Sequence, residues 1–166
     1  MSIPPALSGL LRASLPTSPI LVGQDEAKRL PPAPGTYVLL LRLKAPLALS
    51  GRFAERALAP GWYAYVGSAR GPGGLKARLS RHLRKEKTLR WHVDRLTTRA
   101  AECWAQAFPD GPETRAITAQ SLTECALARR LLATGKFDHP LPGFGSSDCK
   151  TCESHLLMWR PPRSSP

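Results

Sequence analysis

Gly35-Thr-Tyr-Val-Leu-Leu-Leu-Arg-Leu43 opens at a glycine and continues as an almost unbroken run of apolar, aromatic and β-branched side chains, which reads as a central strand. A second run, Gly61-Trp-Tyr-Ala-Tyr-Val-Gly67, is bounded by glycines at both ends. In it Tyr63 and Tyr65 point to one face while Trp62, Ala64 and Val66 point to the other. Residues 44 to 60 form a loop or a short irregular strand ending at Pro60, and pairing the two runs across it gives an antiparallel ribbon.

Downstream, Ser68 to Gly74 is a glycine-rich turn, and Leu75 to Lys85 has helical spacing. Leu75, Leu79 and Leu83 fall within an arc of about 80° at 100° per residue, with Arg78 and His82 four apart on one flank of that stripe. Trp91 to Leu96 is expected to be a third strand, with His92 and Asp94 facing one way and Trp91 and Val93 the other. Ala101 to Phe108 is expected to be a fourth. A second helix covers Ser121 to Thr134 and ends at Gly135; a Pro and Gly-rich segment and a Cys/His-containing piece follow. Upstream, residues 1 to 34 read as an N-terminal arm with a short helix near Asp25 to Leu30; residues 158 to 166 read as a basic, Pro-rich tail. The expected architecture is α/β in the α+β sense: one domain over residues 35 to 157, a small central antiparallel sheet flanked by helices.

A chain of 166 residues buries roughly two-thirds of its extended surface and holds a core without disulfides. Its formal charge is +12, and Arg70 to Arg99 holds ten basic residues against two acidic ones. Such a patch attracts polyanions, nucleic acid before anionic membrane, although a solvated basic face would look the same. The candidate phosphate contacts are Arg70, Lys76, Arg81, Arg84, Lys85 and Arg90. No apolar run reaches the roughly 18 residues of a membrane span, and the N-terminus does not pair a charged stretch with a long apolar core. The expected location is cytoplasmic, with Cys103, Cys125, Cys149 and Cys152 as reduced thiols or metal ligands.

Glu124 falls between Leu127, Leu131 and Ala128 by helical angle. A carboxylate carried into an apolar face needs a neutralising partner, and a divalent cation would serve. Ser121-Leu-Thr-Glu124 also has the spacing of a capping box, in which the glutamate only returns a hydrogen bond to the backbone. The spacing leaves both readings open.

Gly35-Thr36-Tyr37 and Tyr65-Val66-Gly67 resemble the two signature tripeptides of the GIY-YIG nuclease superfamily. Arg78 and His82 on the following helix, and Glu124 on the next, extend the resemblance over roughly residues 35 to 157. The resemblance is closer still to a small stand-alone prokaryotic branch with blocks like Trp91-His-Val-Asp94 and Gly143-Phe-Gly-Ser-Ser-Asp-Cys149. The resemblance implies a divalent-metal-dependent endonuclease, on DNA sooner than RNA and selective for structure rather than sequence. Tyr37 would activate the attacking water, directly or through a neighbour; Tyr65 would orient that water or bind a phosphate oxygen. Arg78 would neutralise phosphoryl charge, and Glu124 would hold Mg²⁺ or Mn²⁺. His82 would assist Tyr37 or bond a backbone carbonyl. Many members of the superfamily use an Asn near the site; this chain contains none, and Ser146, Ser147 or Asp148 would have to fill that space. A non-catalytic nucleic-acid-binding module with the same fold is the alternative.

Cys149-x-x-Cys152-x-x-His155 offers three metal ligands at close spacing, with Cys103, Cys125 or His139 as a fourth for a structural zinc; reduced thiols in a tight turn are the competing reading. Trp91 and Trp104 are expected in the core, since stacking on a base would require exposure beside the basic patch.

Overall fold

A strand that is apolar on both parities is stable only between two layers. In the computed structural model, which describes residues 3–16, 19–111, 122–147 and 149–162, β2 (Gly35–Leu43) is such a strand. It belongs to a six-stranded antiparallel sheet of order β1-β6-β2-β5-β8-β7. Its neighbours are β5 (Gly61–Ala69) and β6 (Glu102–Pro109). The remaining strands are β1 (Ile20–Val22), β7 (Phe137–Asp138) and β8 (Leu156–Trp159); β3 (Leu47–Ala48) and β4 (Ala57–Leu58) form a separate small ribbon. The α+β architecture read from the sequence is the one observed, with four α-helices among the described residues.

The alternation of β2 divides the core in two. Tyr37, Leu39, Leu41 and Leu43 pack with Leu75, Leu79 and Leu83 of α2 (Gly74–Leu83) and with Val93 and Leu96 of α3 (His92–Arg99). Val38 and Leu40 pack on the other side with Leu7 and Leu11 of α1 (Pro5–Ser14) and with Leu127, Ala128 and Leu131 of α4 (Glu124–Ala133). Each fully buried leucine contributes about 1.5–3 kcal/mol of transfer free energy, so both layers are needed. The faces of β5 divide as the sequence indicates: Trp62, Ala64 and Val66 lie in the second core, while Tyr63 and Tyr65 pack against the first.

Trp91 to Leu96 is not a strand. It is the start of α3, because the Asp94 carboxylate accepts hydrogen bonds from the backbone N–H groups of Arg90 (2.9 Å) and Trp91 (3.1 Å) and so satisfies donors at the helix start. Val93, Leu96 and Ala100, spaced by three and four, are buried. His92 and Asp94 therefore do not share a face: His92 is exposed and Asp94 is fully buried.

Part of the N-terminal arm is also core. Pro5 begins α1, a position where its missing N–H is harmless, and Leu7, Leu11 and Leu15 are buried. The helix expected near Asp25 to Leu30 is a single 3₁₀ turn, Ala27–Arg29. At the other end Met158 and Trp159 belong to β8 rather than to a tail. Residues 163 to 166 of that tail, Ser121 of the capping reading and Asp148 lie outside the described residues.

Candidate active site and metal cluster

The β2–β5 register sets Tyr37 directly opposite Gly67. A Cβ on Gly67 would stand 2.4 Å from the Tyr37 hydroxyl, so only glycine lets that ring lie against β5. Tyr65 has the same relation to Gly145, where a Cβ would come within 2.6 Å of its ring and φ is +69°. The glycines flanking the tyrosines thus leave room for phenol rings.

Beneath Tyr37 runs a buried polar file. Its hydroxyl lies 3.0 Å from His82 Nε2 on α2, and His82 Nδ1 lies 3.5 Å from Asp94 Oδ1 on α3. Neither His82 Nδ1 nor Asp94 Oδ1 has a closer hydrogen-bond partner among the described residues, so the two face each other. Asp94 also accepts from Arg81 at 2.7 Å, and Lys87 Nζ is 3.7 Å away. Burial alone would raise the Asp94 carboxyl, but His82, the two backbone N–H groups and Lys87 together hold it well below the usual carboxylate range. Burial lowers His82 from 6.5 against the opposing pull of Asp94, leaving a neutral imidazole in the middle of the file.

Tyr37 is 2% exposed, and burial, then the neighbouring Tyr65, raise it well above the ordinary tyrosine value. Tyr65 is partly exposed; burial first, then the Glu124 carboxylate, push it up to about 12. The Arg78 guanidinium acts in the opposite sense on both phenols. Tyr37, Tyr65, Arg78 and Glu124 are therefore near enough for each phenol to feel both charges, with His82 behind them.

Glu124 is not the buried carboxylate that its helical angle suggests. It is the first residue of α4, its side chain is 32% exposed, and the cap is Thr123, whose Oγ1 accepts from the Ala126 N–H at 3.1 Å. A capping box with Glu124 in the third helical position is thus not formed. A part-exposed carboxylate at a helix start suits a hard divalent cation that keeps most of its waters. Its Oε2 is 3.7 Å from His155 Nδ1.

The basic residues divide by role. Arg81 is bound to Asp94 and to the Thr88 carbonyl, Lys85 to the Thr97 and Ala100 carbonyls at the end of α3, and Lys87 to the Arg81 and His82 carbonyls. Arg70 pairs with Asp110. Lys76, Arg84 and Arg90 are exposed. Trp91 is not in the core: it is 40% exposed, with Arg78 4.4 Å and Arg81 4.8 Å from its ring centre and His82 behind it at 5.3 Å. Beside it lies a groove of ≈ 390 Å³, lined in part by Phe53, Arg90, Trp91, His92, Arg95 and Phe144. Trp104 is partly buried against the second core.

The cysteine pattern resolves into a cluster of four. The ligand atoms of Cys125, Cys149, Cys152 and His155 all lie within 4.8 Å of one another, a donor set that could hold a metal ion. The fourth member is Cys125 on α4. His139 instead faces Glu153 at 4.0 Å, and Cys103 is a separate thiol that burial raises to about 12. Hydrogen bonds from the Thr151 hydroxyl and neighbouring donors bring Cys149 down to about 5. Ser146 is buried and donates to the Glu153 carbonyl.

The sequence offers Asp94 as a residue that joins the site or pairs with the basic patch, and the fold does both, placing it as the foot of the file and against Arg81; the fold also decides that Trp91 is an exposed ring and that Cys125, of the three candidates, completes the cluster. The positions of Asp94 and Trp91 depend on the α3 segment being a helix rather than a strand. The i, i+3 spacing of Val93 and Leu96 was the available signal. Cys125 could be selected only by the packing of α4 against the C-terminal loop. Among the described residues no helix is long and apolar enough to cross a membrane.

No curated protein and no solved structure matches the chain. Residues 36–165 match the family described as a domain of unknown function, DUF123, and since this span is well over half of the chain, the protein belongs to that family.

Proposed function

We propose that the protein is a divalent-metal-dependent phosphodiesterase, an endonuclease of the GIY-YIG kind acting on nucleic acid in the cytoplasm, on DNA sooner than RNA. The observation that carries this reading is the file Asp94–His82–Tyr37, whose phenol lies within the electrostatic reach of Tyr65, Arg78 and Glu124. A buried tyrosine is a weak acid, and a neutral histidine at hydrogen-bond distance gives its proton somewhere to go. The Tyr37 proton passes to His82 Nε2, Asp94 balances the imidazolium, and Tyr37 takes up the proton of the attacking water. Since Tyr37 is 2% exposed and Tyr65 is partly open to solvent, the relay would run through Tyr65, which would accept the water's proton and pass its own phenolic proton to Tyr37.

Arg78 offers its guanidinium to the phosphoryl oxygens, and its stacking on Trp91 fixes the plane of the fork. Glu124 is the residue that would hold Mg²⁺ or Mn²⁺, whose chemistry there is charge stabilisation on the phosphoryl group and the leaving oxygen. The soft Cys/His donors belong with zinc instead. Trp91, with Arg90 and Arg95 along the adjoining groove, suits an unpaired base and its backbone.

The test is a panel of branched, nicked, flapped and single-stranded substrates with Mg²⁺ and with Mn²⁺. Cleavage is expected, lost in Glu124→Ala and Arg78→Ala while binding persists. Cleavage unchanged in both variants assigns the activity elsewhere. Salt-dependent binding with no turnover under either metal makes the protein a binding module.

A further inference from the structure

The Cys/His cluster and Glu124 meet at one imidazole. Glu124 and Cys125 are consecutive at the start of α4, about 100° apart around the helix. Cys125 Sγ lies 3.2 Å from Cys149 Sγ and 3.9 Å from His155 Nε2, while the opposite ring nitrogen, Nδ1, lies 3.7 Å from Glu124 Oε2. The histidine thus has one nitrogen among the sulfurs and the other at the carboxylate.

We propose that Cys125, Cys149, Cys152 and His155 form a closed zinc site, and that its His155 ligand fixes Glu124 in place. Three sulfurs and one imidazole are a full tetrahedral set for zinc, whose ligand atoms stand about 3.3–3.8 Å apart when bonded at 2.0–2.3 Å. The four atoms here already lie within 4.8 Å. The loop that supplies three of them is also braced by its own backbone. Gly143 donates to the Glu153 carbonyl at 2.7 Å, His155 to the Phe144 carbonyl at 2.9 Å, and Cys149 to the Ser146 carbonyl at 3.0 Å. His155 itself is 2% exposed.

Binding releases the thiol protons to solvent and occupies Nε2, so the imidazole keeps its one proton on Nδ1, the atom facing Glu124. That N–H stands 3.7 Å from Oε2, and contraction of the cluster to the zinc spacing brings it within hydrogen-bond reach while Oε1 stays free for a second, hard cation. The zinc is thereby a positioning element: it ties α4, which packs on one face of the sheet, to the loop that passes Tyr65 at Gly145. The zinc site itself stands apart from the phosphodiesterase reading. Its effect on the hard cation rests on that reading.

The experiment begins with metal analysis of untagged protein, where about one zinc per chain is expected and less than about 0.2 overturns the site. Cobalt exchanged into the protein should give the visible absorption of a tetrahedral thiolate site, and Cys149→Ser should lose it. If Cys149→Ser does not fold, His155→Cys serves instead: it keeps four ligands, and the cobalt absorption should persist but shift to that of an all-thiolate site, an unshifted band overturning His155 as a ligand. His155→Cys should keep its zinc yet bind Mn²⁺ about 10-fold more weakly, read by electron paramagnetic resonance. The link itself is read without nucleic acid, from the exchangeable His155 N–H proton, which cobalt shifts outside the ordinary proton range. Glu124→Ala should move that signal and speed its exchange with water; an unmoved signal overturns the link. Zinc present and the N–H responsive, but no Mn²⁺ bound in the wild-type protein, would uphold the site and its hydrogen bond while refuting the phosphodiesterase reading.

Discussion

Two polar clusters flank the tyrosines, and they are held together in opposite ways. Around Asp94 the protein supplies both signs of charge: Arg81, Lys87, two backbone N–H groups and His82 surround one carboxylate. Around Cys149 it supplies electron-pair donors, three sulfurs and an imidazole nitrogen within 4.8 Å. The first cluster is neutralised by the chain itself and can be buried without an added ion. The second suits a soft cation from outside. Glu124 borders both, since its field reaches the tyrosines at one end and its oxygen faces His155 at the other.

The largest expected effect is on the first cluster. Asp94→Ala leaves Lys87, whose side chain is 1% exposed, without its counter-charge, a loss on the order of 3–5 kcal/mol in urea unfolding. A chelator should not change that loss. A cost under about 1 kcal/mol would mean that the file is not a structural unit.

Next comes Tyr37→Phe, which keeps the ring over Gly67 and removes only the bond to His82. It should lower cleavage by at least about 100-fold and stability by only about 1 kcal/mol. Full activity in this variant would take Tyr37 out of the chemistry.

Trp91→Ala tests the exposed side of the same cluster. Binding of single-stranded nucleic acid should weaken by about 1–3 kcal/mol, with the slope against log salt unchanged because no charge is lost. An altered salt slope with unaltered affinity would point to phosphate contacts alone.

The smallest effect is the pH dependence of stability. His82 and Asp94 are both held below their ordinary values of 6.5 and 3.8, so the unfolded chain takes up protons first as pH falls. Stability is therefore greatest above about pH 6.5 and declines as pH drops through 6.5 toward the folded His82 value. It declines further as the unfolded Asp94 protonates near 3.8. Melting temperature against pH should show both segments, and His82→Gln should remove the upper one.

What the sequence determined by itself is the layer arrangement. The apolar run of β2 demands cover on both faces, the alternation in β5 assigns Tyr65 and Val66 to opposite sides, and Leu75, Leu79 and Leu83 mark the helix that covers one of them. Those are local periodicities, and they survive folding because each is a property of a few neighbouring residues. Pro5 and the leucines of α1 read only as part of an arm, because proline at a helix start and proline in a loop look alike without a partner surface. Asp94 turned a short alternating segment into a helix by accepting two backbone N–H groups, a competition that alternation alone does not reveal. The meeting of Cys125 with Cys149, Cys152 and His155, and of His82 with Asp94, was decided only in three dimensions. A side chain's charge and donor type are written in its residue, whereas its partner is chosen by how two distant elements pack.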